Sequence, residues 1–283
     1  MVTTDHLSEG VWFKDDRDFK IAMNLVAIVS FVTGASVLAF VLMSNHVHFV
    51  LQCGHDTARK FITEFKRRFS QHLATRYGSK EFLRKNGVDI RPVRIDDESL
   101  EKAIAYVLMN PVAANICLYS GDYPWGSGSI YFRSVETKGI RIGALSRRRQ
   151  TLLLSSKEVL PSEMLIGEDG YILPESYIPV KFVESLFRTP KRMYYFLMNS
   201  SKAKRRLAES ESGLPSFKDQ LILAAIPDMC ASLLRKSSLE VLSKEEMAEL
   251  SKQIRMRFSA DVNQISRVMN LSYSEVVSLL ESF

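Results

Sequence analysis

The run Met43-Ser44-Asn45-His46-Val47-His48-Phe49-Val50-Leu51-Gln52 constrains this chain more than any other segment. Side chains alternate across a strand with a period of two, so Val47, Phe49 and Leu51 face a core while His46 and His48 face the other way. Two imidazoles about 7 Å apart along a rigid strand can grip one metal ion. The chain holds five histidines in 283 residues, so such a pair is uncommon by chance. A lone His-x-His is nevertheless a weak motif, and a surface pair at a strand end fits it at least as well.

A second informative segment begins at Glu98 and ends at Asn110-Pro111. Leu100, Ala103, Ile104, Val107 and Leu108 recur at helical spacing and form one apolar stripe. Ser99, Lys102, Tyr106 and Asn110 fall on a different face, with Asn110 one turn beyond Tyr106. Pro111 disfavours the α region for the residue before it, which predicts that the helix ends at Asn110 and frees its side chain. Taken alone, Tyr106 packing on a loop and Asn110 capping the helix explain the pattern equally well.

Taken together, His46-Val47-His48 and Tyr106-x-x-x-Asn110 resemble the active site of the HUH single-tyrosine transposases, and most of all the REP-associated tyrosine transposase branch. The resemblance extends to Trp12-Phe13-Lys14-Asp15-Asp16-Arg17-Asp18-Phe19, Leu42 to His48, Asn110-Pro111-Val112 and Asp122-Tyr123-Pro124-Trp125-Gly126-Ser127, in order over roughly residues 5 to 132. Ser44 stands where the family usually has proline, and Gly126 where it often has serine. The resemblance implies an α+β fold, a ferredoxin-like or RRM-like antiparallel sheet with helices on one face and the imidazoles on the open face. It also implies metal-assisted transesterification on single-stranded or hairpin DNA. His46, His48 and the Asn110 amide oxygen would bind Mg2+ or Mn2+, and Tyr106 would attack phosphorus to hold the 5′ end as a phosphotyrosine. A phenol with a pKa near 10 needs a nearby metal or base to act at neutral pH.

A formal net charge of +6 suits a nucleic-acid partner, and the excess is unevenly placed. From Thr57 to Arg94 there are eleven Lys or Arg against three acidic residues. Arg59, Lys60, Lys66, Arg67, Arg68 and Arg76 flank a helical repeat of Phe61, Phe65, Phe69 and Leu73, whose spacing reads as a buried face rather than a base-stacking platform. The cations beside it, with Arg91 and Arg94, are candidate phosphate contacts, although a solvated charged face explains them too.

Cys53, Cys117 and Cys230 are widely spaced and odd in number, which fits a reducing, cytoplasmic setting better than a disulfide framework. The apolar run from Leu25 to Met43 is interrupted by Ser30, Gly34 and Ser36, so it reads as helix end, loop and buried strand rather than a membrane span. The length favours more than one domain. A catalytic unit is expected over 1–135, a basic linker and mixed accessory segment over 136–215, and a mostly helical unit over 216–283. Within the first, strands are expected near His6 to Trp12, Val37 to Met43, His46 to Gln52 and Arg91 to Ile95. Within the last, helices over Lys244 to Phe258, Val262 to Met269 and Tyr273 to Leu280 enclose the turn Asn270-Leu271-Ser272. That pattern reads as a helix-turn-helix, with Tyr273, Ser274, Glu275 and Ser278 as groove-facing candidates, although ordinary three-helix packing also produces it. Other expectations stay open: a domesticated endonuclease that processes palindromic repeats, a metal-dependent nuclease using water, and a catalytically silent RRM-like binder. Monomer and homodimer are equally compatible with the sequence.

Overall fold

The computed structural model describes residues 1–5, 12–78, 83, 86–95, 97–114, 116–135, 137–201, 203, 219–258 and 260–281. It opens with β1 (Val2–Thr4), α1 (Asp16–Thr33), β2 (Ser36–Met43), β3 (His46–Gln52), α2 (His55–Tyr77), β4 (Val88–Ile90) and α3 (Ser99–Leu108). The four strands form one sheet in the order β2-β3-β1-β4, with every neighbouring pair antiparallel. The chain is therefore α+β, with a small antiparallel sheet among many helices.

The apolar stretch before the histidines divides as its breakers require. Gly34 takes a left-handed conformation (φ 70°) that ends α1 and lets the chain reverse into β2. Ser44 and Asn45 then form the two-residue turn into β3. At the start of α1, Asp15 caps by accepting from the Asp18 amide at 3.1 Å.

Strand alternation sorts β3 as expected. Phe49 packs against Phe61 and Phe65 of α2, with ring centroids 5.0 and 5.4 Å apart. Phe61, Phe65, Phe69 and Leu73 are all buried, so the aromatic stripe is core, and Trp12 stacks over Phe65 and Phe69. The opposite face differs from the expectation of an open sheet: α3 lies across β2 and β3 there, and both His46 and His48 are buried.

Two expected strands move. The first is Val2–Thr4, and the expected stretch from His6 to residue 11 lies outside the described residues. The other is Val88–Ile90 rather than Arg91 to Ile95, because Pro92 has no N–H for the ladder and the chain leaves the sheet to reach α3.

The segment from Asp122 to Tyr131 covers the β2 edge. Leu42 N donates to Trp125 O (2.9 Å), Ser127 N donates to Phe40 O (3.0 Å), and the Tyr123 hydroxyl donates to Leu42 O (2.7 Å). Such capping removes an unpaired strand edge from solvent.

The stretch expected as a linker is folded. Ile140–Arg141 pairs with Leu165–Ile166, and Arg147–Leu154, which includes the triple arginine, is helical. One hydrophobic core runs continuously from Val2 to Phe196, so the expected boundary near residue 135 is not a break in packing. The Pro190–Met198 helix lies along α3 and braces it, with Arg192 donating to Glu98 at 2.9 Å.

A second core joins the helix Asp219–Met229 with Lys244–Phe258, Val262–Met269 and Tyr273–Glu281. Asn270 adopts the left-handed conformation (φ 54°, ψ 44°), and Ser272 accepts from the Glu275 amide while Glu275 accepts from the Ser272 amide. That reciprocal pair is a capping box, which gives Glu275 a local structural role instead of a groove-facing one. Among the described residues no helix is long and apolar enough to cross a membrane.

Candidate functional site

His46 and His48 project from the same face of β3 with ring centroids 4.7 Å apart and planes nearly perpendicular. Each ring is oriented through Nδ1. That of His46 donates to Asn45 Oδ1 at 2.8 Å, and that of His48 pairs with Thr3 Oγ1 at 3.0 Å across the β1–β3 ladder. An amide oxygen accepts only, so Asn45 holds the His46 proton on Nδ1 and leaves the lone pair on Nε2. Both Nε2 atoms are sealed from solvent. Ring fixation by a neighbour at one nitrogen is what a metal-ligating histidine needs at the other.

Tyr106 reaches this pair from α3. Its ring meets His48 edge to face, with centroids 5.8 Å apart. The phenol is half-buried on the imidazole side of the sheet, so two histidines and a tyrosine from separate elements converge. Tyr123 and Tyr131 are buried and Tyr177 is half-buried with its hydroxyl sealed from solvent, and burial pushes all three phenols well above the ordinary range. The first two donate to β2 carbonyls and serve the fold.

Asn110 behaves differently from the expectation of a freed side chain. After a turn at Met109 the chain re-enters a helical turn, Asn110–Ala113, with Pro111 at a position where its missing N–H costs nothing. The Asn110 Nδ2 donates to the carbonyls of Tyr106 (2.9 Å) and Val107 (3.2 Å), closing the end of α3. With Nδ2 committed to the helix end, Oδ1 is the atom Asn110 offers as an acceptor or ligand. Among the described residues no group of three or more His, Cys, Asp or Glu side chains is placed to hold a metal. Two imidazoles on one strand face are borderline ligands, which would suit Mn2+ better than Mg2+.

Several of the candidate DNA contacts are engaged by neighbouring groups. Arg67 and Arg68 both donate to Glu64, and Arg68 also donates to Glu158 at 2.7 Å. Hydrogen bonds from Arg67, with Arg68 adding to them, hold the Glu64 carboxyl down at about 2. Lys66 Nζ donates to Asn86 O at 2.5 Å, and burial lowers its pKa. Arg91 pairs with Asp89 at 2.5 Å. Arg59, Lys60 and Arg94 are exposed, as are Tyr273, Ser274 and Ser278 on the last helix.

Sequence reasoning missed Asn45 and Thr3. The first adjoins His46 in the motif itself. The second became visible only once β1 was placed beside β3. Comparison with known protein families, with characterised proteins and with solved structures finds no match to this chain.

Proposed function

We propose that this chain nicks single-stranded hairpin or palindromic-repeat DNA and transfers the strand through a 5′-phosphotyrosine, as an HUH single-tyrosine transposase. The observation that carries the reading is the edge-on approach of Tyr106 to His48, with His46 beside it on the same strand face. The element order β-α-β-β-α-β and the strand order β2-β3-β1-β4 support a ferredoxin-like domain as its scaffold.

In this reading Tyr106 Oη attacks phosphorus as the P–O3′ bond breaks. The phenolic proton leaves Tyr106, and the departing strand takes up a proton as a 3′-hydroxyl. Ester exchange conserves the number of phosphodiester bonds, so rejoining to another 3′-hydroxyl needs no ATP. His46, His48 and Asn110 would hold the divalent ion, with Asn45 and Thr3 fixing the rings. When bound, that ion supplies neutralisation of the non-bridging phosphate oxygens. Arg59, Lys60 and Arg94 are exposed cations that would meet the DNA backbone. The turn Asn270-Leu271-Ser272 and the exposed Tyr273, Ser274 and Ser278 support a DNA-binding helix-turn-helix in the C-terminal unit.

The test is incubation with labelled single-stranded hairpin oligonucleotides and Mn2+ or Mg2+, followed by denaturing electrophoresis. A protein-DNA adduct that Tyr106→Phe abolishes is the expected result. Cleavage surviving that change would replace the reading with a water nuclease. Absence of cleavage on bound hairpins would replace it with a silent binder.

A further inference from the structure

A cavity of about 420 Å³ opens beside the site just described, framed by the same strand and helix. Val50 lies two residues beyond His48 on β3, about 7 Å along the strand and on the same face. Leu100 lies on α3, six residues and roughly 9 Å before Tyr106. Both line the cavity, Phe182 supplies an aromatic wall, and Cys53 adjoins them. Arg91 and His55 stand at its mouth with most of their side chains in solvent, 71% and 55% exposed, although Arg91 also pairs with Asp89.

We propose that this cavity receives one unpaired nucleobase of the strand held at Tyr106. The inference rests on the nuclease reading and names the subsite that would select single-stranded substrate. The volume falls within the roughly 300–1,000 Å³ of small-ligand pockets. Apolar walls with one aromatic side chain favour a flat, weakly hydrated ring, and the Arg91 guanidinium at the mouth favours a phosphate beside it. A paired base cannot enter, because its edges and faces are occupied within the duplex. The cavity wall and the candidate site share β3 and α3, with Val50 two residues from His48, so one extended strand can span Tyr106 and the cavity.

Cys53 makes the cavity addressable without catalysis. The full chain carrying Tyr106→Phe is mixed with hairpin oligonucleotides bearing a single abasic site at successive positions of the unpaired strand. Binding is followed by fluorescence anisotropy, and alkylation of Cys53 by iodoacetamide is followed by mass spectrometry with Cys117 as the internal reference. The expected result is at least tenfold slower alkylation of Cys53 with the intact oligonucleotide, reversed by an abasic site at one position only. Phe182→Leu, which keeps an apolar wall, weakens binding of the intact oligonucleotide roughly tenfold and leaves that one abasic oligonucleotide unaffected. Bound DNA with unchanged Cys53 alkylation and equal affinity for every abasic oligonucleotide overturns the proposal. Adduct formation by the unmodified chain, scored in parallel, shows whether the nuclease reading survives that outcome. Failure of every oligonucleotide to bind removes both.

Discussion

Replacing Asn45 with alanine isolates the step from ring orientation to metal binding. In the structure Asn45 Oδ1 accepts the His46 Nδ1 proton at 2.8 Å, and both side chains are buried. Alanine removes the acceptor without altering the imidazole. The N–H then lacks its buried partner, a loss of about 1–3 kcal/mol, and the ring gains freedom to rotate or change tautomer. Partners of this kind are worth about 10- to 100-fold in metal affinity, or roughly 1.4–2.7 kcal/mol. Titration calorimetry with Mn2+ on the full chain reads that loss directly. Asn45→Asp keeps an acceptor at the same place and is expected to retain binding. A folded Asn45→Ala protein whose Mn2+ affinity stays within twofold of the parent would refute the assigned orientation.

Further predictions concern the frame that holds the site. Asp18 is fully buried and accepts from Lys14 N, His72, Arg76 and Tyr77, so Asp18→Asn should destabilise the chain by about 3 kcal/mol in urea unfolding. Burial pushes its carboxyl up, but the hydrogen bonds from His72, Lys14 N and Arg76 outweigh burial and leave it depressed. Glu64 is depressed to about 2 as well. A depressed carboxylate contributes stability above its unfolded pKa of about 4 that is lost as pH falls through the folded value, so the urea midpoint should drop between about pH 5 and pH 2. Asp18→Asn should flatten that slope. The Arg257 guanidinium is buried with no hydrogen-bond partner for either Nη atom among the described residues, and lies 3.9 Å from Asp16. Arg257→Met removes the cation facing Asp16 and leaves Gln253 Oε1 without the Nε donor it has at 3.0 Å, so it is expected to lower stability by about 1–3 kcal/mol in a thermal melt. A Cβ at Gly126 would meet the Phe40 carbonyl at 2.9 Å, so Gly126→Ser should cost about 1–3 kcal/mol by displacing the β2 edge.

Much of the candidate site's face was legible from local pattern. The alternation of His46 to Leu51, the stripe of α3 and the buried phenylalanine repeat of α2 each follow from a side-chain period that any partner surface must accept. The turn at Asn270-Leu271-Ser272 was legible for a related reason, since its caps are satisfied within four residues. The basic stretches were harder. Composition marks Arg67 and Arg68 as candidate phosphate contacts, but it does not show that Glu64 and Glu158 already engage them. The stretch from 138 to 150 has the polarity of a linker, yet the Ile140–Arg141 strand and the Arg147–Leu154 helix join the main core through scattered apolar residues such as Ile142 and Leu154.

The sequence by itself determined which side chains of β3, α2 and α3 share a face and where the turn at Asn270-Leu271-Ser272 falls, because those depend on backbone period and on hydrogen bonds between near neighbours. Only the tertiary structure decided that Tyr106 meets His48, that Thr3 and Asn45 orient the imidazoles, and that the Pro190–Met198 helix braces α3. Those contacts join residues far apart in the chain, and they form only when the buried surfaces of the sheet and α3 select one another.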